Sequence, residues 1–155
     1  MRVILFTKYE DKGASSRVRC LQYLPYLKEN GINIDTYPLF SNRYLECLYD
    51  QGVNSKKIIL LSYLKRFFYL IRLLIQRNYA VIWIEKELFP WLPYFVESCI
   101  YKYLPIPVFV DYDDPIFNNY ERHKNSFVRY LLEKKISSIM KHSDHVSVSS
   151  KYMYD

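Results

Sequence analysis

Three short segments gather the side chains that could do chemistry. The first is Lys8-Tyr-Glu-Asp-Lys-Gly-Ala-Ser-Ser-Arg-Val-Arg19, a polar loop after an apolar run. If a helix opens near Ser15 or Ser16, its unpaired N–H groups face this loop and favour an anion. Small residues at Gly13, Ser15 and Ser16 would let a phosphate approach the backbone, and Arg17 offers a fork of donors. The loop is neither GxGxxG nor GxxxxGK[ST], so the dinucleotide fingerprint and the P-loop are both absent. The same residues also read as a capped helix with two solvated arginines. The second segment is Trp83-Ile-Glu-Lys-Glu-Leu-Phe-Pro-Trp-Leu-Pro93. Glu85, Lys86 and Glu87 directly follow an apolar strand, and Trp91 and Tyr94 could stack on a sugar or an apolar chain. Trp83 and Phe89 read as core. The third is Asp111-Tyr-Asp-Asp-Pro115. Clustered carboxylates repel, which raises pKa values and suits a general base. A DxD pattern also suits a divalent cation with a sugar nucleotide, and Asp before Pro suits a turn. Asp113 and Asp114 are the candidates for function, Asp111 for structure. His123 follows this loop as a candidate contact for an acceptor. His142 and His145 flank Asp144 in a late turn and read as surface residues, and the three histidines have no metal-ligand spacing.

The elements that must position these groups alternate. Arg2–Thr7 reads as a buried strand, Ser15 or Ser16 to Asn30 as a helix stopped by Gly31, and Ile32–Pro38 as a strand. A short helix follows at Ser41–Tyr49 and a long one at Lys56–Arg77. Ala80–Ile84 is a strand, Leu88–Tyr103 a helix with Pro90 and Pro93 near its start, and Pro107–Val110 a strand. Asn125–Lys141 is helical and His145–Val148 is a last strand. Such alternation predicts an α/β domain, a Rossmann-like parallel sheet with helices on both faces. Ligands of open α/β sheets bind beyond the carboxyl ends of the strands. Lys8, Gly13, Ser15, Ser16, Arg17, Arg19, Glu85, Lys86, Glu87, Asp111, Asp113, Asp114, Ser149 and Ser150 should therefore converge on one crevice.

Bulk composition narrows the class. The chain has 155 residues, half of them hydrophobic and a quarter charged, so one globular domain is expected. Three cysteines far apart suggest reduced thiols in a cytoplasmic setting. The net charge of +6 favours anionic partners, but no run of five or six basic residues supports nucleic acid. In Lys56–Arg77, Lys65, Tyr69, Arg72 and Gln76 share one helix face. Leu60, Leu64, Phe67, Phe68, Ile71, Leu74 and Ile75 share another. Charges interrupt the run, so it does not read as a membrane span. The apolar face is expected to pack on the sheet, with peripheral contact to an anionic membrane as the alternative.

Taken in order, Lys12-Gly-Ala-Ser-Ser-Arg-Val-Arg19, Gln22-Tyr-Leu-Pro-Tyr-Leu27 with Gly31-Ile32, Ile84-Glu-Lys-Glu-Leu-Phe-Pro90, Asp111-Tyr-Asp-Asp114 and Asp144-His-Val-Ser-Val148 resemble the N-terminal domain of family 4 glycosyltransferases of GT-B architecture. The resemblance implies an acceptor-side domain in cell-surface polysaccharide assembly. A nucleotide-sugar donor would be held by a C-terminal domain not contained in residues 1–155. Gly13, Ser15, Ser16 and Arg17 would then lie near the donor phosphates, and Asp113 and Asp114 at the catalytic centre. Glu85, Lys86, Glu87, Trp91 and His123 would face a lipid-linked or saccharide acceptor. It implies no essential metal or other cofactor. Two other expectations compete with it. One is a metal-dependent DxD transferase using Asp111 and Asp113, and the other is a non-enzymatic α/β binding domain.

Overall fold

Five parallel strands form one sheet: β1 (Arg2–Tyr9), β2 (Asn33–Phe40), β3 (Val81–Glu85), β4 (Val108–Tyr112) and β5 (His145–Val148), in the order β2-β1-β3-β4-β5. The computed structural model describes residues 1–49, 55–75 and 78–153. In register, Leu5 pairs with Thr36 and Trp83, Ile84 with Val110, and Val110 with Val146. The expected Rossmann-like α/β fold is thus present. Pro38 lies in an edge strand, where a missing N–H costs no ladder bond.

Alternation along the strands divides the core between two faces. Ile4, Phe6, Ile82, Ile84, Val108 and Val110 join one buried cluster with Leu70, Leu73, Ile100, Leu132, Ile136 and Ile139. Those last six come from α4 (Ser55–Ile75), α5 (Tyr94–Tyr103), α7 (Ser126–Leu132) and α8 (Lys135–His142). Val3 and Leu5 point to the opposite face, where β1 is met by α1 (Ala14–Arg19). The remaining helices are α2 (Leu24–Glu29), α3 (Asn42–Tyr49) and α6 (Phe117–Glu121).

Several helices differ from their expected form. The stretch from Ser15 to Asn30 is three pieces, α1, a 3-10 turn at Leu21–Tyr23, and α2. Pro25 lies in the first turn of α2 and cannot continue a helix from α1. Gly13, not Ser15 or Ser16, is the N-cap residue, and no side chain caps α1. Gly31 does stop the segment, at φ 76°, with Ile32 N–H donating to the Leu27 carbonyl at 2.9 Å. Residues 88–93 are not helical, and α5 begins after Pro93. The Asn125–Lys141 stretch breaks between Leu132 and Lys135.

α4 turns the opposite way from expectation. Its buried face carries Arg66, Leu70 and Leu73, whereas Leu60, Leu64, Phe67, Phe68, Ile71, Leu74 and Ile75 are exposed. The reason is Arg66. Its Nη2 donates to the carbonyls of Thr7 at 2.7 Å and Tyr37 at 3.1 Å, and its guanidinium lies over the Phe6 ring. Burial pushes its pKa down to about 9, so it stays cationic at neutral pH and holds the ends of β1 and β2 together. Of the polar face expected for this helix, Tyr69 instead packs on Tyr37, Lys65 and Arg72 are exposed, and Gln76 lies outside the described residues. No described helix is long and apolar enough to cross a membrane.

Candidate functional site

At the carboxyl ends of β1, β3 and β4 the expected convergence occurs, and its centre is Glu85. This residue is 1% exposed. Oε2 accepts from the Lys8 N–H at 2.9 Å and the Ser16 hydroxyl at 2.6 Å, and Oε1 accepts from the Ser15 hydroxyl at 2.8 Å. Ser15 Oγ also lies 2.9 Å from Asp113 Oδ2. Its single proton serves one carboxylate at a time, so Ser15 is a donor shared by β3 and β4. Ser16 Oγ in turn accepts from the Tyr9 N–H at 2.9 Å. The small residues of the first loop therefore serve an internal network. Gly13 has the same role. A Cβ there would lie 2.3 Å from Tyr9 Cβ, closer than any real contact. Gly13→Ala is expected to cost about 1–3 kcal/mol by forcing α1 off the strand end. A thermal unfolding midpoint equal to wild type would refute it.

Each acidic residue of the Asp111-Tyr-Asp-Asp114 segment except the last is tied closely to a cation. Asp111 is buried and takes a two-pronged contact from Arg19, with Nε to Oδ2 at 2.9 Å and Nη2 to Oδ1. Lys86 Nζ lies 2.7 Å from Asp113 Oδ1 and 3.2 Å from Asp114 Oδ2. Burial pushes the Asp113 carboxyl up, but Lys86 and Ser15 outweigh it and hold it below the usual carboxylate range. The raised value expected from clustered carboxylates is thus reversed at Asp113. Burial opposes the Lys86 ammonium, yet Asp113 and Asp114 hold its pKa above the ordinary value. With both oxygens of Asp111 on Arg19, the DxD pair is not free to hold a cation. Among the described residues no group of three His, Cys, Asp or Glu side chains is gathered as metal ligands.

Lys86 reaches this position at a conformational cost. Its φ is 67°, and Glu87 N–H donates to the Glu85 carbonyl at 2.9 Å, which closes a three-residue turn around it. A non-glycine residue held there stores on the order of 1–3 kcal/mol. The turn sends Glu85 toward α1, Lys86 toward β4 and Glu87 inward. Glu87 Oε1 accepts from the Tyr120 hydroxyl at 2.7 Å, and Oε2 lies 2.6 Å from Lys135 Nζ. Lys135 is fully buried, pairs with Glu97 at 3.0 Å and donates to the Phe89 carbonyl. Glu97 Oε2 accepts from the Leu88 N–H at 2.9 Å. Residues 86–91 are thereby held rigidly without helical structure.

That rigid segment ends at Trp91, also at positive φ (64°) and half-exposed. Its ring meets Tyr120 edge-on at 5.2 Å and His123 at 5.7 Å. Beside it lies a cleft of about 90 Å³ lined by Lys8, Glu85, Lys86, Glu87, Pro90, Trp91, Ile116, Asn119 and Tyr120. Among the described residues no carboxylate lies within ion-pair distance of Lys8 Nζ. Burial and the nearby Lys86 charge lower its pKa. An anionic group entering the cleft would offset both effects by pairing with the ammonium.

Of the residues expected at the site, Ser15, Ser16, Glu85, Lys86, Asp113 and Asp114 join one network, and Glu87, Trp91 and His123 form its other flank. Arg17 stands apart. It is exposed, and among the described residues its side chain donates only to the Asp11 carbonyl, at 3.4 Å. Ser149 Oγ donates to the Asp113 carbonyl and fixes the β4 loop from the β5 side. Tyr120 and Asn119 were not foreseen, since they come from α6, a helix with no periodic signal. Lys8 was legible only as the first charge after a strand. No protein-family model matches the chain, and no curated protein matches it significantly.

Proposed function

We propose that this domain holds the saccharide acceptor of a glycosyltransferase that draws on a nucleotide-sugar donor in cell-surface polysaccharide assembly. What supports the reading is one coincidence. Three of the five segments whose residues resemble the GT-B acceptor domain, 12–19, 84–90 and 111–114, meet in a single hydrogen-bonded network beside an exposed aromatic ring. Trp91 offers a flat apolar face at the mouth of a polar cleft, the pairing of surfaces that a pyranose ring presents in return. Lys8 receives a carboxylate or phosphate on the acceptor. Asp113, ionised and oriented by Lys86 and Ser15, accepts a proton or hydrogen bond from an acceptor hydroxyl, with Asp114 beside it. Arg17, exposed beside the network, is the donor-facing group. A fully ionised, well-paired Asp113 is a positioning group first and a weak base second.

The test is saccharide binding. An array of acidic and neutral glycans, followed by saturation-transfer NMR, should identify a ligand that contacts an indole. Trp91→Ala is expected to weaken that ligand about tenfold, the loss of one stacking contact worth roughly 1.4 kcal/mol. Binding unchanged in Trp91→Ala, or no saccharide bound by the wild-type chain, would discard the acceptor reading in favour of a non-enzymatic binding domain.

A further inference from the structure

Among the described residues, α4 presents an apolar stripe to solvent. Leu60, Leu61, Leu64, Phe67, Phe68, Ile71, Leu74 and Ile75 are all exposed, Phe68 at 66% and Ile75 at 77%. At about 100° per residue they occupy roughly 140° of the helix circumference. This is one continuous band about 20 Å long, opposite the buried Arg66, Leu70 and Leu73. Single exposed hydrophobes are ordinary, but an uninterrupted band is the mark of an interaction surface.

The charges around it choose among partners. α4 contains no acidic residue from Ser55 to Ile75. Lys65 and Arg72 run along one border of the stripe, and Lys56 and Lys57 lie at its N-terminal end, all exposed. An amphipathic helix with an aromatic-rich apolar face and a basic rim matches the headgroup–acyl boundary of an anionic bilayer. There the rings enter the hydrocarbon edge, and the lysines and arginines stay at the phosphates. A second copy seated on the same face would set one cationic, carboxylate-free helix against another. The overall charge of +6 adds to the attraction for an anionic surface.

We propose that α4 is an in-plane membrane-binding helix that seats the domain on anionic phospholipid. The helix axis lies along the surface, and Phe67, Phe68 and Ile71 are its deepest anchors. This surface is separate from the Trp91 cleft, and it stands whether or not the saccharide reading holds. In that reading, it would bring the cleft to a lipid-linked acceptor.

Vesicle sedimentation of the full chain tests it, with no saccharide present. Binding is expected to vesicles of phosphatidylglycerol and phosphatidylcholine, with little binding to phosphatidylcholine alone and weaker binding at high salt. Phe67→Ser/Phe68→Ser is expected to lower the partition coefficient by ~10-fold or more, and Lys57→Glu/Lys65→Glu to lower it in anionic vesicles only. All four positions are exposed, so circular dichroism and the unfolding midpoint should stay at wild-type values. Absence of wild-type binding to anionic vesicles would overturn the proposal. So would binding that the Phe67→Ser/Phe68→Ser variant retains, or a solution dimer that this variant dissolves.

Discussion

Lys135→Met is expected to lower the unfolding free energy by about 3–5 kcal/mol, against the roughly 5–15 kcal/mol that a folded domain possesses. The residue has no solvent exposure and lies between Glu87 and Glu97, which are buried too. Removing the cation leaves two carboxylates facing each other away from water. Urea denaturation followed by circular dichroism reads the change, and a loss below about 1 kcal/mol would mean the pair is not buried as described. If Lys135→Met fails to fold, Lys135→Met/Glu97→Leu supplies the comparison. Removing one of the two carboxylates ends their mutual repulsion and should recover part of the loss, because Glu87 stays buried without its cation.

The same cluster predicts a pH dependence with a definite sign. Burial pushes the Glu97 carboxyl up, against the pull of Lys135, so the folded state holds that proton more tightly than the unfolded chain. Its contribution to stability is complete below the ordinary glutamate range, about 4.3, and declines as pH rises through the folded value. Asp113 has the opposite sign. Its lowered pKa adds stability above the ordinary aspartate range, which is lost as pH falls through the folded value. Glu97→Gln should flatten the decline on the higher-pH side and leave the acid limb in place.

Glu85→Ala is expected to cost on the order of 3 kcal/mol. It leaves the Lys8 N–H and the Ser16 hydroxyl without their acceptor at a buried position. Glu85→Gln is the finer probe. It keeps the volume but turns an NH₂ toward one of three donors, so a loss of about 1.5–3 kcal/mol is expected. Hydrogen exchange should show faster opening at Lys8 and Tyr9 than in β2 or β5. An exchange pattern identical to wild type would show that Glu85 does not tie α1 to the strand ends.

Much of this fold was legible because strands announce themselves strongly. Arg2–Thr7 is a largely apolar run and His145–Val148 alternates polar residues with valines, and every expected strand is present to within two residues. The strand-end rule then brought Ser15, Glu85, Lys86 and Asp113 to one place without knowledge of any contact. Helices were less readable for reasons that are local. Pro25 was weaker as a written signal than the amphipathic run around it. Nothing in Glu133-Lys134-Lys135 says which lysine turns inward to meet two carboxylates. α4 is apolar on more than one side, so periodicity alone could not tell which side meets the sheet. Arg66, written as an interruption, is the residue that decides it. At the site, the small side chains of the first loop looked ready for a phosphate, whereas most of their polar capacity goes to Glu85 and Asp113.

The position of β1 in the sheet has a consequence for the birth of the molecule. Leu5 pairs on one side with Thr36 and on the other with Trp83. At ribosomal rates of about 5–20 residues per second, roughly 4–16 s pass between synthesis of Leu5 and of its second neighbour. Through that interval the first strand made can pair along only one edge, and its central, most apolar residues wait for a partner. One of the three strands whose ends build the site is therefore the one longest open to a wrong neighbour. Chaperone demand during translation should be greatest before residue 85 has left the ribosome.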